Sequence, residues 1–397
     1  MAGAVARGTT IARNILDCDD CRCTIDAFRQ MGIDITQRGA QTVIRGKGLN
    51  GLQKPALPLS MGNSGTSMRI LAGILAGQAF ESTLTAGEQL AKRPMKRVVE
   101  PLALMGVDIA ARDNAYPPLI VRGGRVKPIS YRTPVPSAQI KSAVLFAGLY
   151  ADGVTRVEEE YASRDHTERT LSLFGADITI SHNAVEVRGG RELSAQKIVI
   201  PADISSASFF MVGALLIKGS KLTMQGVGTN PTRAGIIDAI KRMGGQVSVT
   251  NTKELFEPIG DIEIVSGNTR GVEIGKNEIP SLIDELPVLF VLASLSKGRT
   301  VIRGLAELKV KETNRIASMA YNLNAMGARM AVGEDEVVIE GVSSLTHARL
   351  KSFGDHRTCM ACAIAALTVD GGCEIDETDC VSKSFPEFFT RLRALAE

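Results

Sequence analysis

Five stretches of the chain share one hydrophobic signature: apolar residues at helical spacing, a glycine, then apolar and polar residues in alternation. They read AFRQMGIDIT, LALMGVDIAA, LSLFGADITI, AIKRMGGQVSV and LNAMGARMAV. In the last of these, Ile316, Met319, Ala320, Leu323 and Met326 keep the i, i+3, i+4, i+7 spacing of a helix buried on one face. Gly327 then stands where a helix C-terminus favours a residue that accepts left-handed backbone. Several copies run on through a polar turn into a second strand, as in ARMAVGEDEVVIEG and ADITISHNAVEVRG, whose alternation predicts one buried and one wet face.

Ahead of each copy lies a second recurrent piece: a helix of small and apolar residues, a glycine-containing turn and a short β-branched strand. Its versions are MRILAGILAGQAFESTLT, KSAVLFAGLYADGVTRV, FFMVGALLIKGSKLTM, VLFVLASLSKGRTVI and MACAIAALTVDGGCEI. The opening, MAGAVARGTTIARN, reads as the end of a sixth copy, with the start of its helix expected upstream of Met1. A transit peptide, also Arg-bearing and poor in acids, is the other reading of that stretch. The final unit ends in SKSFPEFFTRLRALAE without its glycine and hairpin. Six units at a spacing of about 70 residues predict an α/β (α+β) protein of two three-unit domains, 1–201 and 202–397, hinged near Pro201.

Composition narrows the function. With 397 residues, 44% of them hydrophobic and 22% charged, the chain can build two substantial cores. No apolar run reaches the ~18 residues a spanning helix needs, so no membrane partner is expected. A net charge of +3 without a dense Lys/Arg block gives little footprint for nucleic acid and suits small anionic ligands better. Seven cysteines, an odd number without a secretory signal, point to free thiols in a reducing compartment, the cytoplasm. Cys18, Cys21 and Cys23 with Cys359 and Cys362 contain C-x-x-C spacings that zinc could use. They sit in apolar or small-residue segments, where free cysteine serves as a small buried hydrophobe.

The visible helix beginnings carry the candidate chemistry. Their unpaired N–H groups and positive dipole ends would together receive anions; the alternative is that the Ser, Asp and Asn there are ordinary caps. Gly62, Asn63, Gly65 and Thr66 precede Arg69, and AKRPMKR holds Lys92 and Arg93 ahead of Pro94, read as a helix start. In LKVKETNRIA, Lys311 and Arg315 would share a helix face with Glu312 turned roughly 100° away, two cations and a proton-transfer group. GDHR gathers Asp355, His356 and Arg357 at an apolar helix, where a buried Arg needs a partner or a ligand and the histidine can be a core residue. Asp284 and Glu285 head another apolar helix, placed for the pKa tuning of a general base, though one of them can be only a helix-terminal charge.

In order along the chain stand GNSGTSMR, KRPM, PSAQIKSA, SRDHTE, DISSASFF, IDELP, KVKETNRI, GDHRTCM and SKSFPEFF. With these motifs the sequence resembles the 3-phosphoshikimate 1-carboxyvinyltransferase (EPSP synthase) family over essentially its whole length. The resemblance implies two domains of three βαβαββ units each, an inside-out α/β barrel arrangement with helix N-termini facing the interdomain cleft. It implies transfer of the enolpyruvyl group of phosphoenolpyruvate to the 5-hydroxyl of shikimate 3-phosphate, releasing phosphate, by a cofactor-free and metal-free monomer. By motif, Asp284 takes the hydroxyl proton and Glu312 serves proton transfer at the methylene carbon. Gly65, Arg93, Arg315, Arg357 and Lys383 would hold phosphoenolpyruvate, Gln139 would lie between the substrates, and Ser137, Ser163, Arg164 and Lys311 would hold shikimate 3-phosphate. Asn63, Thr66 and Ala138 complete the implied substrate-binding set, Ala138 standing where some members have a second serine.

The Lys-Ser pair and following Arg that the family carries at its first helix start have no counterpart here, as the opening fragment also implies. The expectation is that turnover depends on that segment, which leaves a truncated, non-catalytic remnant as one alternative. The other is UDP-N-acetylglucosamine enolpyruvyl transferase, whose loop carries a reactive cysteine; the matching loop here, GEQLAKRPMKR, has none.

Overall fold

The computed structural model describes residues 1–181 and 183–396; His182, in one of the expected polar turns, lies outside the described residues. The chain divides into two compact units, Met1–Ile200 and Pro201–Glu397. Each unit has its own apolar core, one drawn from residues between Ala2 and Leu193 and the other from residues between Ile204 and Phe388.

The recurrent apolar helices are the centre of each unit. In the first, Gly65–Ala76 lies along Ala138–Gly148, and nearly every residue of both is buried. In the second, Ile204–Leu216, Leu286–Ser294 and His356–Ala366 pack pairwise on one another. Helices that are apolar on all sides have no wet face, so they occupy the interior. The shorter amphipathic helices and the sheets form the outside, as in Gly235–Arg242, which buries Ile236, Ile237 and Ile240.

The glycine that closes each of the five predicted outer helices has left-handed backbone: φ is 81° at Gly32, 83° at Gly106, 88° at Gly175, and 85° at Gly244 and Gly327. Only glycine adopts that conformation without a Cβ penalty, and it turns each helix straight into the following strand. The strands pair as the alternation predicts, for example Arg329–Val332 with Glu336–Glu340, which then pairs with Arg299–Arg303. Among the described residues the sheets stay separate, two to five strands each, and no barrel closes. The opening is a short buried helix, Ala2–Val5, leading into strand Ala6–Arg13. That strand runs antiparallel to Gln41–Lys47 and parallel to Leu193–Ser194 and Lys197–Val199 at the far end of the same unit.

Three helix starts differ from expectation. The helix expected at Pro280 is broken: a single turn, Ile279–Leu282, is followed by Leu286–Ser294. Pro287 lacks an N–H and tolerates only the first turn of a helix, which fixes the start beside it. The helix after Lys311 begins only at Arg315, because the Asn314 side chain caps it by accepting from the N–H of Ala317. Lys92 ends a short 3-10 turn, and the next helix starts at Lys96 rather than at Pro94.

Candidate active site

In the second unit the breaks just described concentrate charge. Asp284 stands in the bend between Ile279–Leu282 and Leu286–Ser294. One of its carboxylate oxygens, Oδ1, accepts from Arg315 Nη1 at 3.1 Å and lies 3.6 Å from Lys311 Nζ; the other is 3.7 Å from Arg357 Nη2. Arg357 also donates to the Asp284 carbonyl at 3.1 Å. The late helix start lets Glu312 fold back over Arg315, whose Nη2 donates to it at 2.6 Å, while Lys383 Nζ donates to its other oxygen at 3.2 Å. Lys311 and Glu312 therefore precede the helix, and the shared helix face expected for Lys311 and Arg315 does not form.

Arg315 is 1% exposed and joins the two acids, with Asp355 as a third partner at 2.8 Å. Burial opposes its charge, but Asp355, Glu312 and Asp284 outweigh burial and raise its pKa. Burial likewise pushes Asp355 up, and Arg315 more than reverses this, so the carboxyl titrates below its usual range. Four cations, Lys311, Arg315, Arg357 and Lys383, thus face three carboxylates. An arrangement of that kind can hold an anion and keep an ionised carboxylate beside it.

The geometry separates the adjacent acids Asp284 and Glu285. Glu285 is wholly buried and accepts from the Ser205 hydroxyl, to which Arg233 donates at 2.8 Å. Arg233 also donates to Asp203 at 2.7 Å, and Asp203 caps Ile204–Leu216. Asp355 has the ordinary capping role too, accepting from the N–H of Arg357 at 2.8 Å.

The first unit gathers a second set. Ser64 caps Gly65–Ala76. A Cβ on Gly65 would come within 2.9 Å of an Arg69 nitrogen and 3.0 Å of an Arg93 nitrogen, so both guanidinia lie against bare backbone at this helix start. Arg69 donates to Gln139 Oε1 at 2.6 Å, and Gln139 donates in turn to Thr66 Oγ1 at 2.8 Å. Asn63 is engaged elsewhere: its oxygen accepts from the N–H groups of Gln89 and Leu90, shaping the loop before Arg93. Ser137 is the cap residue of Ala138–Gly148, and its side chain makes no capping bond. Ser163 is buried beside half-buried Arg164 and donates to Glu159 at 2.9 Å.

The EPSP synthase (3-phosphoshikimate 1-carboxyvinyltransferase) family model matches residues 1–392. The chain belongs to this family. It is 48% identical over 398 residues to a 3-phosphoshikimate 1-carboxyvinyltransferase of Geobacter metallireducens, with 100% of this chain and 93% of that one covered. The protein of the same name in Bacillus licheniformis is 47% identical over 400 residues, covering 100% and 94%. Among solved structures, EPSP synthase from Acinetobacter baumannii superposes with a TM-score of 0.89 at 42% identity, covering 100% of this chain and 92% of that one.

Within this family member, the expected site residues left out a charged group of the first unit, Lys141, Glu159 and Glu168, although PSAQIKSA and SRDHTE contain Lys141 and Glu168. The available signal was Lys141 itself, a single charge in an otherwise apolar helix, QIKSAVLFAG. Arg233 was missed as well, since NPTRAG offers no apolar context to single out its arginine. All seven cysteines are free thiols, and Cys359 and Cys362 are buried on His356–Ala366. Among the described residues there is no group of three or more His, Cys, Asp or Glu able to hold a metal, and no helix long and apolar enough to cross a membrane.

Proposed function

We propose that this protein transfers the enolpyruvyl group of phosphoenolpyruvate to the 5-hydroxyl of shikimate 3-phosphate, giving 5-enolpyruvylshikimate 3-phosphate and phosphate. The observation that carries the reading is the pair Asp284 and Glu312, bridged by buried Arg315 and ringed by Lys311, Arg357 and Lys383. In the first step Asp284 accepts the proton of the attacking hydroxyl as its oxygen bonds to C2 of phosphoenolpyruvate, and Glu312, protonated when both substrates are bound, delivers that proton to the methylene carbon. In the second, Glu312 takes a proton back from the resulting methyl group while the C–O bond to phosphate breaks, and the hydroxyl proton held by Asp284 leaves with the phosphate, so both carboxyls return to their starting state. Each step is proton transfer with C–O bond making or breaking, so the scheme uses no redox or carrier group.

Arg315, Arg357 and Lys383 hold phosphoenolpyruvate in this proposal, with Arg93 and the backbone at Gly65 in the same role. Lys311, Ser137, Ser163 and Arg164 hold shikimate 3-phosphate, and Gln139 contacts both, with Thr66 and Ala138 beside it. Two polyanions repel each other, and fixed cations offset that cost while stabilising charge that develops in the transition state. The proposal includes a cytoplasmic monomer; free thiols throughout support a reducing compartment.

Phosphate release from phosphoenolpyruvate tests the reading. It is expected with shikimate 3-phosphate, and Glu312→Gln is expected to lower kcat by roughly 10²–10⁴ with little change in either KM. Release that requires UDP-N-acetylglucosamine instead, or no release with shikimate 3-phosphate, would overturn it.

A further inference from the structure

Glu159 follows strand Val154–Glu158 and is 6% exposed, yet its carboxylate accepts four hydrogen bonds. The N–H of Ser137 donates to Oε1 at 3.0 Å. The N–H of Ser163 at 3.0 Å, the Ser163 hydroxyl at 2.9 Å and Lys141 Nζ at 2.8 Å all donate to Oε2. Lys141, 3% exposed, also donates to the Ser163 carbonyl at 3.3 Å and meets Glu168 Oε1 at 2.7 Å. One carboxylate thus clamps the start of Ala138–Gly148 to the loop before His166–Leu173, fixing the spacing of Ser137 and Ser163. The Ser137 hydroxyl makes no hydrogen bond among the described residues.

A phosphate received at the Ser137 hydroxyl, beside Ser163, meets a problem if a bare carboxylate sits directly behind the two serines. In a buried setting like charges repel far more strongly than in water. Lys141 supplies the missing positive charge: burial favours its neutral form, but Glu168 and Glu159 outweigh burial and raise its pKa. Glu168 is the other acid of the group, with its pKa pushed up by burial and its Oε2 without a hydrogen bond among the described residues.

We infer that Glu159 and Lys141 are positioning residues for the phosphate of shikimate 3-phosphate: Glu159 sets the geometry of Ser137 and Ser163, and Lys141 cancels the charge of Glu159 so that it does not repel the ligand. This rests on the proposed function. It differs from a purely structural ion pair in one respect, because the need for Lys141 must fall when Glu159 is uncharged and only Glu168 is left for it to offset.

A double-mutant cycle reads that difference in steady-state kinetics. Lys141→Met is expected to raise the KM for shikimate 3-phosphate about tenfold or more, leaving kcat and the KM for phosphoenolpyruvate within about twofold. In a Glu159→Gln background the same substitution is expected to raise the KM for shikimate 3-phosphate by a factor at least about threefold smaller. Loss of the Lys141 contact to Glu168 is common to both backgrounds and cancels. Equal cost in both backgrounds, or equal rises in the two KM values, would overturn the inference. If Lys141→Met does not fold, Lys141→Gln, one atom shorter but still a donor, carries the same comparison. Failure of the unsubstituted protein to use shikimate 3-phosphate would overturn the parent reading and this inference together; turnover with uncoupled costs overturns this inference alone.

Discussion

At the head of helix His356–Ala366 a 5% exposed imidazole sits between Asp355 and the cations Arg357 and Arg315. Burial is the main reason its pKa is pushed down to about 3; the two arginines add to this, and Asp355 only partly opposes them. Its Nδ1 has no hydrogen-bond partner among the described residues, and the histidine is a neutral core residue, the alternative left open by the sequence. The unfolded chain binds a proton there near pH 6.5, whereas the folded protein resists it until about pH 3. Stability should therefore fall as pH drops from 6.5 towards 3, by about 2 kcal/mol between pH 7 and 5 from this group. Denaturant unfolding at those two pH values should show that loss in the unsubstituted protein and its absence in His356→Leu. The depressed carboxyls of Asp355 and Asp203 cannot mimic it, since their stabilisation is lost only as pH falls below the ordinary Asp range.

Among the elements, two glycines with different reasons for being glycine make opposite use of helix physics. Gly73 lies inside Gly65–Ala76, where helix propensity alone would make Gly73→Ala stabilising by about 0.8–1 kcal/mol. A Cβ there would collide with the backbone carbonyl of Ala143 on Ala138–Gly148. Overpacking should win, and the expected result is a loss of about 1–3 kcal/mol or more. At Gly175 an added Cβ meets nothing within 4 Å, but φ is 88°. Gly175→Ala should cost about 1–2 kcal/mol from backbone strain alone. Denaturant midpoints of the two variants, compared with the unsubstituted protein, check both signs. The helix, glycine and strand of each repeat were legible because periods of 3.6 and 2 and a left-handed stop are local properties. Helix starts were less so: Arg315 begins a helix only because Asn314 caps it there, and Lys311 thereby loses the helix face it was expected to share. The pairing of Lys141, Glu159 and Glu168 was invisible for a different reason, since it joins a helix, a strand end and a second helix that no local pattern connects. Asp284 and Glu285 differ by one residue in sequence, and only the bend before Leu286 shows which of them meets the cations.

For the whole molecule, the division of the cores matters most. Every buried apolar residue of the second core lies between Ile204 and Phe388, and its sheets pair only strands of the same unit. Within the charged cluster, the partners given above for Asp284, Glu312, Arg315 and Asp355 come from residues 284–383. Terminal helix Phe388–Ala396 is pinned by Phe388, whose ring meets those of Phe209 and Phe210 at 5.9 and 5.6 Å, so the chain end docks on the unit's first helix. A unit of that size, with a private core and both ends tied in, has what an independent domain needs. Residues 201–397 expressed alone should therefore fold, giving a dispersed amide NMR spectrum and one cooperative denaturant transition. The Arg315 cluster should survive in that fragment, so Arg315→Met should destabilise it by about 3–5 kcal/mol, the cost of stranding buried carboxylates. A fragment that binds hydrophobic dye and melts without cooperativity would show that the second core, separate as it is, depends on the first for its packing.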